Sequence, residues 1–265
     1  MSQASTYRAD SPNPWDHFGS SGDGLLFACL LAVGQNRPFD VDAAISPDGC
    51  VFRNPEFATG NRQLGPREST ISRDMFMGLF IYCLHFGRID ILRKVICYGW
   101  KHVWKMGTEN RKIDTRTVFT PGLILLVYAI LFHLTGKTGV ARLLVSIPQP
   151  MSSAPGYVSH LSMLHIYLNK RICGKVSTAN KSTLVKISSH MGQNPLVWAL
   201  LGNPLRAAAC LNKWPQNRLP TKQDWSEEWR TQRSDNDSGL IGVLENTSPH
   251  SGGDYLFVKH CMEAL

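Results

Sequence analysis

Between Arg116 and Lys137 the chain runs for twenty residues without a formal charge. Its densest part, PGLILLVYAILFHL, covers the fourteen positions 121–134. A bilayer crossing takes about 20 predominantly apolar residues, so this stretch is short for one. It starts at Thr120-Pro121-Gly122, where proline suits the first helical turn, and carries His133 near its other end. A helix that is apolar all round, yet too short to span, belongs inside a protein core. The rest of the chain must then supply helices to cover it.

The sequence offers several. An apolar run at Asp23 to Ala32 leads into Gly34, Asn36 and Pro38, and Asp23 can cap its start or act as a cleft carboxylate. Residues 38–68 are irregular, with turn formers at Ser46-Pro47-Asp48-Gly49 and Asn54-Pro55-Glu56, and short strands around Cys50-Val51-Phe52 remain open. From Ser72, the positions Met75, Leu79, Phe80, Cys83 and Phe86 form one apolar helix surface. Ser72 is placed to cap it, Asp74 lies in its first turn, Gly78 allows close packing and Gly87 ends it. A second helix is expected over Asp90 to Met106, with Trp100 and Trp104, four apart, packing inward together. Pro121 to Gly136 is the apolar helix. Further helices are expected at Lys137 to Ile147, Tyr157 to Ile172, Pro195 to Leu201 and Pro204 to Trp214. A surface helix is expected at Gln223 to Arg233 and a short docking element near Tyr255 to Leu265. The expected class is all-α or mainly α. Residues 1–22 read as an N-terminal arm, anchored or edging a cleft through Trp15, and residues 23–265 as one helical domain with the long 38–68 loop region.

Charge and cysteine usage narrow the function classes. Lys and Arg number 28 against 20 Asp and Glu, a net +8. That excess permits attraction to nucleic acid, anionic glycans or acidic membrane surfaces. Its positive residues are dispersed, which argues against a dedicated nucleic-acid tract. No P-loop, Rossmann glycine fingerprint or RRM-like strand set is present. The seven cysteines have no CxxC pair, their count is odd, and several sit in apolar runs. Reduced thiols are expected, with no metal or other cofactor. The N-terminal MSQASTYRADSPNPWD has no apolar signal-peptide core. The expected protein is soluble, either intracellular or released without a signal peptide, and has no transmembrane segment.

The densest chemical signal is Arg67-Glu68-Ser69-Thr70-Ile71-Ser72-Arg73-Asp74, at a loop-to-helix boundary. Asp74 can transfer protons there and Arg73 can position an anionic substrate. Asp48, in a turn before Cys50, is a second carboxylate. Glycoside hydrolysis needs two, one to protonate the leaving oxygen and one to attack or activate water. His250-Ser251-Gly252-Gly253-Asp254-Tyr255 forms a third polar cluster. In it Asp254 rivals Asp48, His250 can move protons near neutral pH, and Tyr255 can contact substrate. Trp225 and Trp229, four apart beside Glu227, Glu228 and Arg230, can stack on a sugar ring or pack in a core or partner interface. For each of these residues a plain capping, packing or solvated role competes.

With the Ser72-Arg73-Asp74 boundary and the terminal Gly252-Gly253-Asp254-Tyr255-Leu256-Phe257 segment, the helical-pair pattern resembles carbohydrate-active α/α-toroid enzymes. The resemblance implies an incomplete toroid of helical hairpins, with a helical bundle as the alternative, because the chain is short for a six-hairpin ring. It also implies acidic loop residues at one end of the layers and an extended polysaccharide as substrate. The competing reading is a structural or ligand-binding module of a larger assembly, with a protein partner and a virus-associated setting as one context.

Overall fold

The first apolar run forms helix α1 (Gly24–Gly34), in which residues 24–33 are all buried. It has no polar face, so it can exist only with neighbours on every side. Its main neighbour is α3 (Arg73–Phe86), and Gly78 sets how closely the two approach. A Cβ at Gly78 would lie 2.7 Å from the Leu26 Cα and 2.8 Å from its carbonyl oxygen. The two backbones therefore touch through a glycine, as the sequence led us to expect.

The computed structural model describes residues 14–15, 24–59, 70–108, 116–154, 157–192, 194–212 and 257–260. Helices hold 67% of them and strands 3%, which fixes the class as mainly α. Around α3 pack α1, α4 (Ile89–Lys101), α5 (Pro121–Leu134) and α7 (Tyr157–Cys173). Helix α6 (Thr138–Ser146) folds back along α5 and also meets α7. Helix α7 further contacts α8 (Thr178–Ser188) and α9 (Pro195–Leu200), and α9 turns through Gly202 into α10 (Pro204–Leu211). Among the described residues no helix is long and apolar enough to cross a membrane.

Helix boundaries follow local chemistry. Thr120, Asn194 and Asn203 each accept a first-turn N–H and are followed by proline at the first helical position. Gly87 closes α3 in the left-handed region at φ 69°. The irregular 38–68 region contains more order than its turn residues suggested. Asp40 caps a short 3-10 turn (Val41–Ala44), Ile45 bridges Val51, and Asn54 caps the one-turn α2 (Pro55–Ala58). Arg88 ties this region to the α3–α4 junction by bridging Asp42 and Asp90. Trp15 anchors the chain ahead of α1, donating to the Asp40 carbonyl at 2.8 Å and meeting Phe39 edge-on.

Two expectations need correction, and one helix was not foreseen. Helix α5 is not sealed all round: Leu123, Leu126, Val127, Ala129 and Ile130 are buried, whereas Tyr128 and residues 131–134 stay half-exposed. Helix α8 was not anticipated, because its TANKSTLVKIS sequence buries only Leu184 and Ile187 and is otherwise polar and β-branched. Helix α4 does not reach Met106. It stops at Lys101, and the chain then forms a two-stranded ribbon of β1 (Lys105–Met106) and β2 (Thr117–Val118). Trp100 and Trp104 consequently do not share an inward face; the first is 64% exposed and the second 8%.

Of the terminal element, residues 257–260 are helical, with Phe257 and Val258 buried and Phe257 edge-on to Tyr167 of α7. Asp23 and the surface helix expected at Gln223 to Arg233 lie outside the described residues.

Candidate functional site

A hydrogen-bonded node lies between the turn that carries Asp48 and the segment that leads into Asp74. Tyr98 of α4 donates its hydroxyl to the Gly107 carbonyl at 2.9 Å, next to the Cys50 thiol. The Thr108 amide donates to the Thr70 hydroxyl at 2.9 Å, and the Thr117 hydroxyl donates to the Ile71 carbonyl at 2.7 Å. Gly107, at φ 91°, is required because a Cβ there would lie 2.5 Å from the Thr70 hydroxyl oxygen. The node joins the Ser46–Cys50 turn, through Cys50, to the start of α3, through Thr70 and Ile71.

At the start of α3, Ser72 occupies the cap position with extended backbone but accepts no first-turn N–H. Its hydroxyl instead donates to the Asp74 carboxylate. The expected capping bond is thus replaced by a serine–aspartate pair. Arg73 points to solvent and Asp74 is half-buried.

Asp48 is exposed in its turn, where it accepts from the Ser46 hydroxyl at 2.5 Å and from the Cys50 amide at 3.5 Å. The Ser46 hydroxyl is the main cause that holds this carboxyl below its usual value, and the Lys101 charge adds to it. Gly49 makes the turn lie against α4, since a Cβ there would come within 2.5 Å of the Lys94 carbonyl. Asp48 and Asp74 are each engaged by the serine two residues upstream. Asp254, His250, Tyr255, Trp225 and Trp229 lie outside the described residues.

Other chemistry among the described residues is structural. Cys29, Cys50, Cys83, Cys97 and Cys173 are free thiols, and burial pushes Cys29, Cys50 and Cys83 upward, away from reactive thiolate. Ser159 and His190 form a serine–histidine contact, Oγ to Nε2, at 3.1 Å. The Ser159 hydroxyl donates its one proton to the Ala154 carbonyl at 2.5 Å. It must accept from His190, so His190 is the donor and not a base activating that serine. Burial lowers the His190 pKa, in keeping with a neutral ring. Among the described residues no three His, Cys, Asp or Glu side chains gather as metal ligands.

A corner between α4 and the ribbon escaped the sequence reading. Val103 and Trp104 both adopt left-handed backbone, at φ 52° and 58°. For β-branched and bulky residues each costs about 1–2 kcal/mol. Trp104 recovers this by folding back over α4. Its amide donates to the Gly99 carbonyl at 2.6 Å, and its ring stacks on Phe119 and meets Trp100 edge-on. Gly99 leaves the room, since a Cβ there would be 2.5 Å from the Trp104 ring. Val103 donates its amide to the Trp100 carbonyl at 3.5 Å, but its side chain gains little burial, being 79% exposed. Val118 is 57% exposed on the ribbon, directly opposite Lys105. The usable sequence signal was Gly99 immediately before the tryptophan pair, a bare spot on the helix that a following ring can cover.

No family model matches the chain, and no curated protein or solved structure matches it at a significant level.

Proposed function

We propose that the chain is a binding or assembly module rather than a glycan-cleaving enzyme. The observation that carries this is the outer face of α6, where Val140 and Leu143, three apart, are 44% and 65% exposed, with Ile147 just past the helix end 41% exposed. Large apolar side chains aligned on an exposed helix mark a surface that meets another molecule. Asp48 adds support. A glycosidase acid works with a raised pKa, whereas Asp48 is held low by Ser46. The hydrolytic alternative, with its toroid-like arrangement, rests on Asp74, Asp48 and Arg73, together with Asp254, His250, Tyr255, Trp225 and Trp229.

The test pairs two assays on the full chain. Light scattering coupled to size exclusion compares wild type with Leu143→Glu. Product mass spectrometry follows neutral, uronic and amino-sugar polymers with wild type, Asp74→Asn and Asp48→Asn. The module reading expects a complex heavier than one chain that Leu143→Glu dissolves, and no turnover. Turnover that is lost on replacing Asp74 or Asp48 would restore the enzyme reading.

A further inference from the structure

We infer that His85 and His260 form an acid-released latch that holds the helical turn at residues 257–260 on the core. The inference goes beyond the module reading and does not depend on it.

This turn bridges two helices. Phe257 and Val258 are fully buried, and the Phe257 ring stands edge-on to Tyr167 of α7, with centroids 4.7 Å apart. At the other end, the His260 ring meets the His85 ring of α3 edge-on, with centroids 4.9 Å apart. Both histidines are half-buried. A single helical turn does not hold its shape alone. Docking requires the burial of two apolar side chains to outweigh the ordering of four residues, and the two effects are of similar size. A contact balanced in this way responds to one added charge.

His85 is placed to receive that charge. Its Nε2 lies 2.9 Å from the Asn36 Oδ1, which only accepts, so the neutral ring keeps its proton on Nε2. Acid then adds the second proton at Nδ1. The ring's aromatic neighbours are Phe86 of its own helix and His260. A phenyl edge gives an imidazolium no acceptor, and a protonated His260 repels it.

The charges that act on His85 have one sign. Burial opposes its protonation most, followed by His260 and by Arg171 of α7. Arg171 acts in the same direction on His133 of α5, as does Arg142 of α6. Lys259 is exposed beside His260. No described carboxylate acts on His85. Asp254 and Glu263 flank the turn in sequence and lie outside the described residues.

Docked, His85 therefore has a pKa below the ordinary value of about 6.5. Released, it loses its cover and the neighbouring ring, and binds a proton more readily. Falling pH favours release, in a window that opens below about 6.5. Release uncovers the seat that Phe257 fills beside Tyr167, an apolar surface covered at neutral pH.

Hydrogen–deuterium exchange of the full chain, read as protection factors at pH 7.5 and 5.5, tests the latch. In wild type the amides of residues 258–260 should lose about tenfold in protection over that interval. Amides of α1 and α3 should lose less. His85→Gln should abolish the loss. His260→Gln should reduce it to about threefold, since burial and Arg171 still act on His85. Melts at pH 7.5 establish that both variants are folded. An undiminished loss in either variant would overturn the inference. So would an equal loss in α1 and α3, which is acid weakening of the whole core, or an absence of protection at pH 7.5. Protection that stays level or rises in acid also overturns it. A rise abolished by Asp254→Asn or Glu263→Gln would show a carboxylate holding the charged pair instead.

Discussion

The α1–α3 contact and the α4–ribbon corner use the same device to opposite ends. In each, a helical glycine admits something a Cβ would block: the Leu26 backbone at Gly78, and the Trp104 ring at Gly99. At Gly78 the neighbouring apolar side chains of both helices are buried, and no described residue of either helix takes a left-handed backbone. At Gly99 one tryptophan is buried, but two consecutive residues take left-handed backbone, and Trp100 and Val103 remain outside. The first region serves the fold alone. The second carries cost in the fold and leaves apolar surface over.

Gly78 gives the sharpest way to break the comparison. Gly78→Val would drive side-chain carbons into the Leu26 Cα and carbonyl, and a backbone yields far less readily than a flexible side chain. The few tenths of a kcal/mol that valine gains over glycine in helix propensity are small beside this. We expect a loss of roughly 3 kcal/mol, read as a lowered midpoint in chemical denaturation. A neutral result would show that α1 and α3 can separate, and that the two glycines are not equivalent devices.

Acid should act on the helical core. Burial lowers the pKa of His165 in α7 to about 4. Burial also lowers His85, with His260 and Arg171 adding to it, and His133, with Arg171 and Arg142 adding. Each folded pKa lies below the unfolded value of about 6.5. The unfolded chain therefore binds more protons as the pH falls, so stability is intact above about 6.5 and declines from there toward 4. For His165 the full decline amounts to up to roughly 3 kcal/mol. Melting temperature against pH checks this, with His165→Gln flattening the profile between those limits. An equally steep profile in that variant would assign the acid response to other groups.

At the corner, Gly99→Ala tests whether the Trp104 ring is seated as tightly as the α1 backbone. Alanine gains about 1 kcal/mol in helix propensity, while displacing a buried tryptophan costs about 3 kcal/mol. A net loss of about 2 kcal/mol is expected, with a changed near-ultraviolet dichroism from Trp104. A gain in stability would mean that the ring moves aside freely and that the left-handed turn does not serve it.

These two regions also separate what the sequence revealed from what it hid. Gly78, Gly87, Pro121, Asn203 and the apolar runs acted locally, through packing, caps and fixed φ, so the helices they define were legible. Helix α8 was not, since its polar and β-branched residues carry little periodic signal and its Ser177 cap stands alone. The corner was misread because spacing of four makes two tryptophans neighbours only while the helix continues, and α4 stops at Lys101. Of the candidate site, Asp48 and Asp74 were correctly placed at turn and boundary. Sequence could not show that Ser46 and Ser72 would each engage the carboxylate two residues on, because hydroxyl direction is decided by tertiary packing.

The smallest expected effect has the opposite sign. Val103→Gly removes a β-branched side chain from φ 52°, where relief of about 1–2 kcal/mol is expected. Against that, glycine adds about 0.5–1 kcal/mol of unfolded-chain entropy. Little burial is lost, because Val103 is already 79% exposed. The balance is a gain of about 1 kcal/mol in denaturation. Trp104→Gly would relieve the same kind of strain at φ 58° but empty the slot between Gly99 and Phe119, so it should lose about 3 kcal/mol. Opposite signs from two adjacent residues with matching backbone would show that one strained position serves the fold and the other does not. If Val103→Gly also destabilised the chain, the valine would be contributing to the fold, and the contrast with the α1–α3 contact would fail at its most exposed point.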